Sequence, residues 1–250
     1  MKKWLSAAAV VVAIGIGTLY YYFFSAMSAD GTTQYVYIDD DDNIDSVLTK
    51  VSAVSNAHAM SAYTLLAKHS TYAEHVRTGR YAINGNNGAL VTFRHMKNGL
   101  QTPVNLTVPS VRTTDRLAAE LSKKLMLDSA AISHALKDEA VCQKYGYDTA
   151  TIACMFIPNT YDIYWNTSID HLFERMQKES KRFWNAERTK KAADMKLSPV
   201  QVITLASIID EETANNDEKP MVAGMYYNRL MLRNAEYPNG MPLQADPTIK

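Results

Sequence analysis

Hydrophobic positions along this chain fall into different rhythms, and each rhythm predicts a different element. The first is continuous: after Lys2 and Lys3 the run WLSAAAVVVAIGIGTLYYYFFSAM carries no formal charge. At a helical rise of about 1.5 Å per residue it is long enough to cross a hydrocarbon core. It predicts a spanning helix. The lysines before it and the aspartates Asp39 to Asp42 after it place the N-terminus in the cytoplasm and the rest outside. Tyr20, Tyr21, Tyr22, Phe23 and Phe24 suit the outer interface, where a ring keeps its body apolar and its edge wet. A cleaved signal peptide is the competing reading, because Ala26-Met27-Ser28 resembles a small-residue cleavage site. An h-region is only about 7–15 residues long, so an uncleaved anchor is the expectation.

Periodic patterns follow the anchor. Tyr35 to Ile38 is β-branched and aromatic, a strand. Asp42 or Asn43 caps a helix whose Ile44, Val47, Leu48 and Val51 form one apolar stripe. A second helix covers Ala57 to Lys68, Gly79 permits a turn, and Arg80 to Ile83 reads as a returning strand. The order strand, helix, helix, strand predicts a small α+β unit. Asn84 to Gly88 is a turn or helix start, Ala89 to Lys97 a short helix, and Gly99 its stop. Thr102 to Pro109 alternates as a strand does. Thr113 or Thr114 caps a helix with Leu117, Ala118, Leu121 and Leu125 inward, and Asp128 to Leu136 is another.

From Phe156 the composition changes. FIPNTYDIYWNTS concentrates aromatic and asparagine side chains, and its Pro158 argues for an ordered loop or short strand. Such a segment suits a sugar cleft, because rings cover the apolar face of a pyranose and amides pair with its hydroxyls. Core packing uses the same residue types, and the two readings stand level. Thr167 or Ser168 then opens a long amphipathic helix through Glu187, with Leu172, Met176, Phe183 and Trp184 as core contacts and RTKKAADMK as a polar connector.

Charge and composition exclude more than they identify. The 250 residues carry 26 basic and 26 acidic side chains, a balance that gives no reason to expect nucleic acid. No HExxH, CxxC or glycine-rich phosphate loop occurs, and the six histidines are scattered, which speaks against a zinc hydrolase or a nucleotide enzyme. Cys142 and Cys154 lie on the exported side in this topology. There they form either a disulfide or two buried thiols.

The candidate chemistry lies in LASIIDEETANNDEKP. Ser198, Pro199 and Gln201 are a strong helix start, a capping box with proline at the first position. At about 100° per residue the register then separates three consecutive acids. Leu205, Ile208 and Ile209 lie on the side of Glu212, Glu211 falls at the edge of that stripe, and Asp210 points away. An acid held against an apolar surface keeps its proton nearer neutral pH and is able to donate it to a glycosidic oxygen. A solvated cluster at a helix end is the plainer alternative. The next helix places Val222, Met225, Tyr226 and Leu230 in a stripe with Asn228 and Arg229 near its end. MPLQADPTIK reads as extended, with Gln244, Asp246 and Thr248 on one face. Together these are a plausible carbohydrate site.

LASIIDEET, YYNRL and MPLQADPT, in this order and preceded by FIPNTYDIYW, resemble the signature of the YceG-like family of endolytic murein transglycosylases. The insertion RNAEYPNG before the last motif looks like the Bacteroidota branch, and the strand-helix-helix-strand order resembles LysM modules. The resemblance implies an α+β chain: an N-terminal cytoplasmic stretch and transmembrane anchor over residues 1–30, a LysM-like βααβ module over 31–100 and a mixed α/β YceG-like catalytic domain over 101–250. The family's domain continues beyond this last motif, so it also implies a catalytic domain incomplete at Lys250. The implied activity is cleavage of the β-1,4 bond between N-acetylmuramic acid and N-acetylglucosamine in nascent glycan strands, leaving 1,6-anhydro ends and ending elongation. Glu212 takes the catalytic place. Asn228, Arg229, Gln244, Asp246 and Thr248 hold sugar or orient Glu212, with Ser207, Glu211 and Thr213 in support. No cofactor or metal is called for. The implied partners are peptidoglycan strands, the inner membrane and cell-wall synthesis proteins, with the domain in the periplasm. A non-catalytic anchored glycan binder or scaffold is the alternative, and a hydrolytic muramidase is a third reading.

Overall fold

The computed structural model describes residues 2–245, so Asp246 and Thr248 lie outside the described residues. By contact the chain divides into two compact units. The first comprises Met1–Leu106, Leu121–Asp128 and Thr160–Ser168, and the second Thr107–Glu120, Ser129–Asn159 and Ile169–Lys250.

The first unit begins with α1 (Lys2–Phe24). Its stretch Ala7–Phe24 has mean hydropathy 1.8 and no fully buried residue, and is long and apolar enough to cross a membrane. The aromatic end of α1 does more than face an interface. Tyr21 stacks on His58 with centroids 4.3 Å apart, Ser25 Oγ lies 2.7 Å from His58 Nε2, and Phe23 packs against the core.

Beyond α1 come β1 (Gln34–Ile38), α2 (Ile44–Ser52), α3 (Ala57–Lys68), β2 (Gly79–Ile83) and α4 (Ala89–Asn98). Asn43 caps α2 by accepting from Asp45 N and Ser46 N, which decides between the two candidate caps. α4 stops where Gly99 adopts the left-handed conformation at φ 69°. β1 and β2 pair antiparallel with Tyr37 opposite Arg80 and Val36 opposite Tyr81. The alternation of β1 sends Val36 and Ile38 inward and leaves Tyr35 and Tyr37 exposed.

The inward face is closed by Val47, Val51, Tyr63, Tyr72, Phe93 and Met96, side chains of the kind worth about 1.5–3 kcal/mol each when fully buried. Phe93 takes Tyr63 and Tyr72 edge-on at 6.3 and 6.1 Å. Tyr63 donates to Met96 Sδ at 3.0 Å. Burial raises the Tyr63 and Tyr72 phenols far above their ordinary range and pushes Tyr81 up to about 12.

A second ribbon pairs β3 (Val104–Val108) with β4 (Asn159–Ile163). The segment around Trp165 belongs to the first unit, where the Trp165 carbonyl accepts from Met126 N at 2.8 Å.

The second unit contains α5 (Thr114–Ser122, mostly), α6 (Ser129–Lys137), α7 (Glu139–Lys144) and α8 (Ile169–Phe183). Thr113 is the residue that opens α5, its Oγ1 accepting from Arg116 N. α7 and the short 3-10 turn Ile152–Met155 are elements the hydrophobic rhythm did not announce. Phe173 packs edge-on against Tyr145 and Phe156, each at 5.5 Å. Cys142 and Cys154 are free thiols, and burial raises both.

The structure corrects the long helix expected through Glu187. α8 ends at Phe183, and Asn185 starts a new helix, α9 (Ala186–Asp194), by accepting from Arg188 N at 2.9 Å. The presumed connector is therefore helical, because an asparagine side chain satisfies a free helix N–H better than it continues a helix. Leu172 and Met176 are buried as expected, but Phe183 and Trp184 are half-buried and line an apolar groove with Arg188, Met195 and Val202.

Two predictions follow from the first unit. A Cβ added at Gly88 would meet the Phe23 carbonyl and Phe24 Cα at 2.6 Å, whereas one at Gly224 would meet nothing within 4 Å. Gly88→Ala should lower stability by about 1–3 kcal/mol while Gly224→Ala raises it by about 0.5–1 kcal/mol, both read by denaturant melts. The second concerns Asp42, 6% exposed, which receives Lys50 Nζ at 2.5 Å and the Asp39 amide at 2.7 Å. Burial pushes its carboxyl up, but Lys50 and the Asp39 amide outweigh it and the net value lies below the ordinary one. The stabilisation is complete above about pH 4 and is lost as pH falls through the depressed value. Melting temperature should drop below about pH 4, and Asp42→Asn should remove part of that dependence while lowering stability at neutral pH.

Candidate functional site

The candidate site is built on α10 (Pro199–Glu212) and α11 (Lys219–Met231). α10 starts as its sequence requires: Ser198 Oγ accepts from Gln201 N at 3.2 Å, Gln201 Oε1 accepts from Ser198 N at 2.8 Å, and Pro199 takes the first turn. Leu205 and Ile209 of α10 pack with Tyr226 of α11, Leu197 and Ala245 into a small core. Thr213, extended at φ −147° and ψ 134°, ends the helix.

Three acids at the C-terminal end of a helix face its negative pole and one another, an arrangement that costs free energy unless each acid finds a donor. Each finds a different one. Asp210 receives Lys219 Nζ at 2.5 Å. Glu211 is paired with Arg112, and the guanidinium's hydrogen bond holds its carboxyl below the usual range. Glu212 Oε1 accepts from the hydroxyl of Tyr226, which is 2% exposed. Asp210 and Glu211 are exposed while Glu212 is half-buried, the order that helix register predicts. Among the described residues Glu212 is thus the acid of the three held by a neutral hydroxyl, with no cation neutralising it.

Thr213 belongs to the turn. Its Oγ1 donates to Glu218 at 2.8 Å and accepts from Asn215 N at 3.0 Å, and Asn215 Nδ2 reaches the other Glu218 oxygen at 3.1 Å. This connector fixes the angle at which α11, and with it Tyr226, returns past Glu212. Ser207 is exposed and donates to the Thr204 carbonyl of its own helix at 2.8 Å, not to Glu212.

On α11 the expected stripe is partly corrected. Tyr226 is buried and Val222 and Leu230 half-buried, but Met225 is 42% exposed. Asn228 is exposed. Arg229 donates through Nη1 to the Leu243 carbonyl, and its own carbonyl accepts from Met241 N at 3.0 Å. Arg229 therefore ties 241–245 to α11. That segment is not a strand: Gln244 is exposed at φ 54°, so the shared strand face expected for Gln244 does not form among the described residues. No hydrogen bond links Asn228 or Gln244 to Glu212 among the described residues.

The tyrosine partner of Glu212 was missed by periodicity, which counted Tyr226 only as core. The aromatic segment splits between both readings: Phe156 and Tyr161 are buried, whereas Tyr164 is 55% exposed and Trp165 half-buried.

Comparison with known proteins places the chain. The endolytic murein transglycosylase of Bacillus subtilis (strain 168) is 29% identical over 84 residues, 34% of this chain and 21% of that protein. The endolytic murein transglycosylase of Streptococcus pneumoniae serotype 2 (strain D39 / NCTC 7466) is 24% identical over 236 residues, 82% of this chain and 40% of that protein. The chain thus spans well under half the length of these relatives. A crystal structure of a YceG-like protein from Listeria monocytogenes aligns at a TM-score of 0.49 and 21% identity, covering 86% of this chain and 73% of that one. The description of the YceG-like family matches residues 36–250, most of the sequence, and the chain belongs to that family.

Proposed function

We propose that this chain is a membrane-anchored peptidoglycan lytic transglycosylase in which Glu212 is the single acid–base. The observation that carries the reading is the Glu212–Tyr226 pair: two neighbouring acids are neutralised by cations while Glu212 is oriented by a neutral donor through Oε1. Oε2 then faces substrate. Glu212 protonates the oxygen leaving the muramic acid anomeric carbon, and afterwards takes the proton of that sugar's own 6-hydroxyl as it closes on the same carbon. The glycosidic bond breaks, a 1,6-anhydro ring forms, and no water is consumed. One carboxylate suffices because the nucleophile belongs to the substrate, unlike the paired carboxylates of most glycosidases. The relatives' name, endolytic murein transglycosylase, supports this substrate and reaction class.

In the same proposal α1 anchors the chain in the inner membrane with residues 31–100 as a LysM-like module and 101–250 as the catalytic domain in the periplasm. The β1-α2-α3-β2 order supports the module. Asn228, Arg229 and Gln244 line the approach to Glu212, with Arg229 acting through its hold on 241–245.

The test is product analysis by mass spectrometry after incubation with polymeric glycan. Ends carrying 1,6-anhydromuramic acid are expected, and Glu212→Gln should lower their rate by about 10²–10⁴-fold. Reducing ends would instead identify a hydrolase, and binding without turnover an anchored binder. Tyr226→Phe removes the hydroxyl that donates to Glu212, about 1.5 kcal/mol, and should lower kcat about tenfold with KM little changed and the melting temperature near wild type.

A further inference from the structure

The C-terminal end of α1 is fastened to the first unit, with no free tether between them. Asn56, just before α3, donates through Nδ2 to the Ala26 and Ser28 carbonyls at 3.0 and 2.8 Å, and through its own N–H to the Met27 carbonyl at 2.8 Å. Met27 is fully buried in the core of that unit. Two residues further on, His58 stacks on Tyr21 at 4.3 Å and lies 2.7 Å from Ser25 Oγ.

Beside this junction α1 and α3 enclose a groove of about 340 Å³, lined by Thr18, Leu19, Tyr22 and Phe23 on one side and by Ser61 and Leu65 on the other. Its two aliphatic hydroxyls are turned back into their own helices. Thr18 Oγ1 donates to the Ile14 carbonyl at 2.8 Å and Ser61 Oγ to the Ala57 carbonyl at 3.0 Å, the bonding by which a helix carries hydroxyls where water is absent. Leu19 is 61% and Leu65 52% exposed, so the groove offers mainly carbon to whatever fills it.

The length of α1 decides what that is. A hydrocarbon core of about 30 Å takes about 20 helical residues at about 1.5 Å each. The apolar stretch Ala7–Phe24 supplies 18, and the α1 wall of the groove occupies about its last two turns. With that wall left in water, residues 4–17 would reach only about 21 Å, well short of the core. A spanning α1 therefore carries Thr18 to Phe23 into the membrane, and α3, held to it at Asn56 and His58, brings Leu65 along. About one turn after Leu65, Lys68 is exposed and has no ion pair among the described residues. Its long stem lets the ammonium reach lipid phosphates while Leu65 stays among acyl chains.

We propose, on the reading of α1 as a membrane anchor, that the α1–α3 groove holds an acyl chain of a phospholipid in the leaflet around the C-terminal end of α1. α3 is then a membrane-seated helix, and the first unit lies on the lipid surface instead of projecting from it.

The test uses the full chain in vesicles of phosphatidylethanolamine and phosphatidylglycerol, with Trp4→Phe, Trp165→Phe and Trp184→Phe so that one introduced tryptophan reports. Leu65→Trp should lose emission when the lipids carry bromine, and lose more to bromine in the upper part of the acyl chain than to bromine near its end. Ser61→Trp reports on the same groove if the Leu65 variant fails to fold. Tyr20→Trp, at a position of α1 that is 66% exposed, reports on the anchor itself and should be quenched in the same vesicles. Quenching at position 20 with none at 65 or 61 overturns the groove's lipid alone. Blue-shifted emission at 65 that bromine leaves untouched, as a second copy filling the groove would give, does the same. No quenching at position 20 overturns the anchor reading, and the lipid-filled groove with it.

Discussion

Consecutive carboxylates at the negative end of a helix repel both the dipole and one another, and the candidate site is organised around relieving that repulsion. Each relief comes from a different place: Lys219 at the start of the next helix, Arg112 from the loop before α5, and Tyr226 from the middle of α11. Cations silence Asp210 and Glu211. Glu212 instead meets the neutral hydroxyl of Tyr226. The turn tied by Thr213, Asn215 and Glu218 joins the two helices and so bears on where Tyr226 meets Glu212.

The first unit answers a different constraint. A two-stranded ribbon of five-residue strands is at best marginal in water alone, so one face must be buried. Val36, Ile38, Tyr81 and Ile83 supply that face, and the helices close over it. The end of α1 joins the same core through Phe23 and reaches it at Gly88, where a side chain would collide with the backbone of Phe23 and Phe24. The other face of the ribbon carries the exposed Tyr35 and Tyr37, with the Arg80 guanidinium over the Tyr35 ring.

Local rules carried much of the element order. The cap at Ser198, the stop at Gly99 and the strand alternation at Tyr35 to Ile38 depend on neighbours within a few residues and appear as expected, while Asn43 and Thr113 are each one of the two caps the sequence offered. Where local signals competed, reading failed. An apolar stripe continuing through Phe183 and Trp184 outweighed Asn185, although that asparagine starts a new helix. Alternation in MPLQADPT suggested a strand, but Arg229 pins 241–245 to α11 and Gln244 turns to positive φ.

The sequence by itself determined the apolar N-terminal helix, the helix starts and the greater burial of Glu212 among three acids, because periodicity and capping act over one or two helical turns. Tertiary structure alone decided which donor each acid receives, and that Trp165 joins Tyr37 across 128 positions. The physical reason is range. A side chain's direction from its own helix or strand is set by backbone geometry, whereas its partner is set by how separate elements pack.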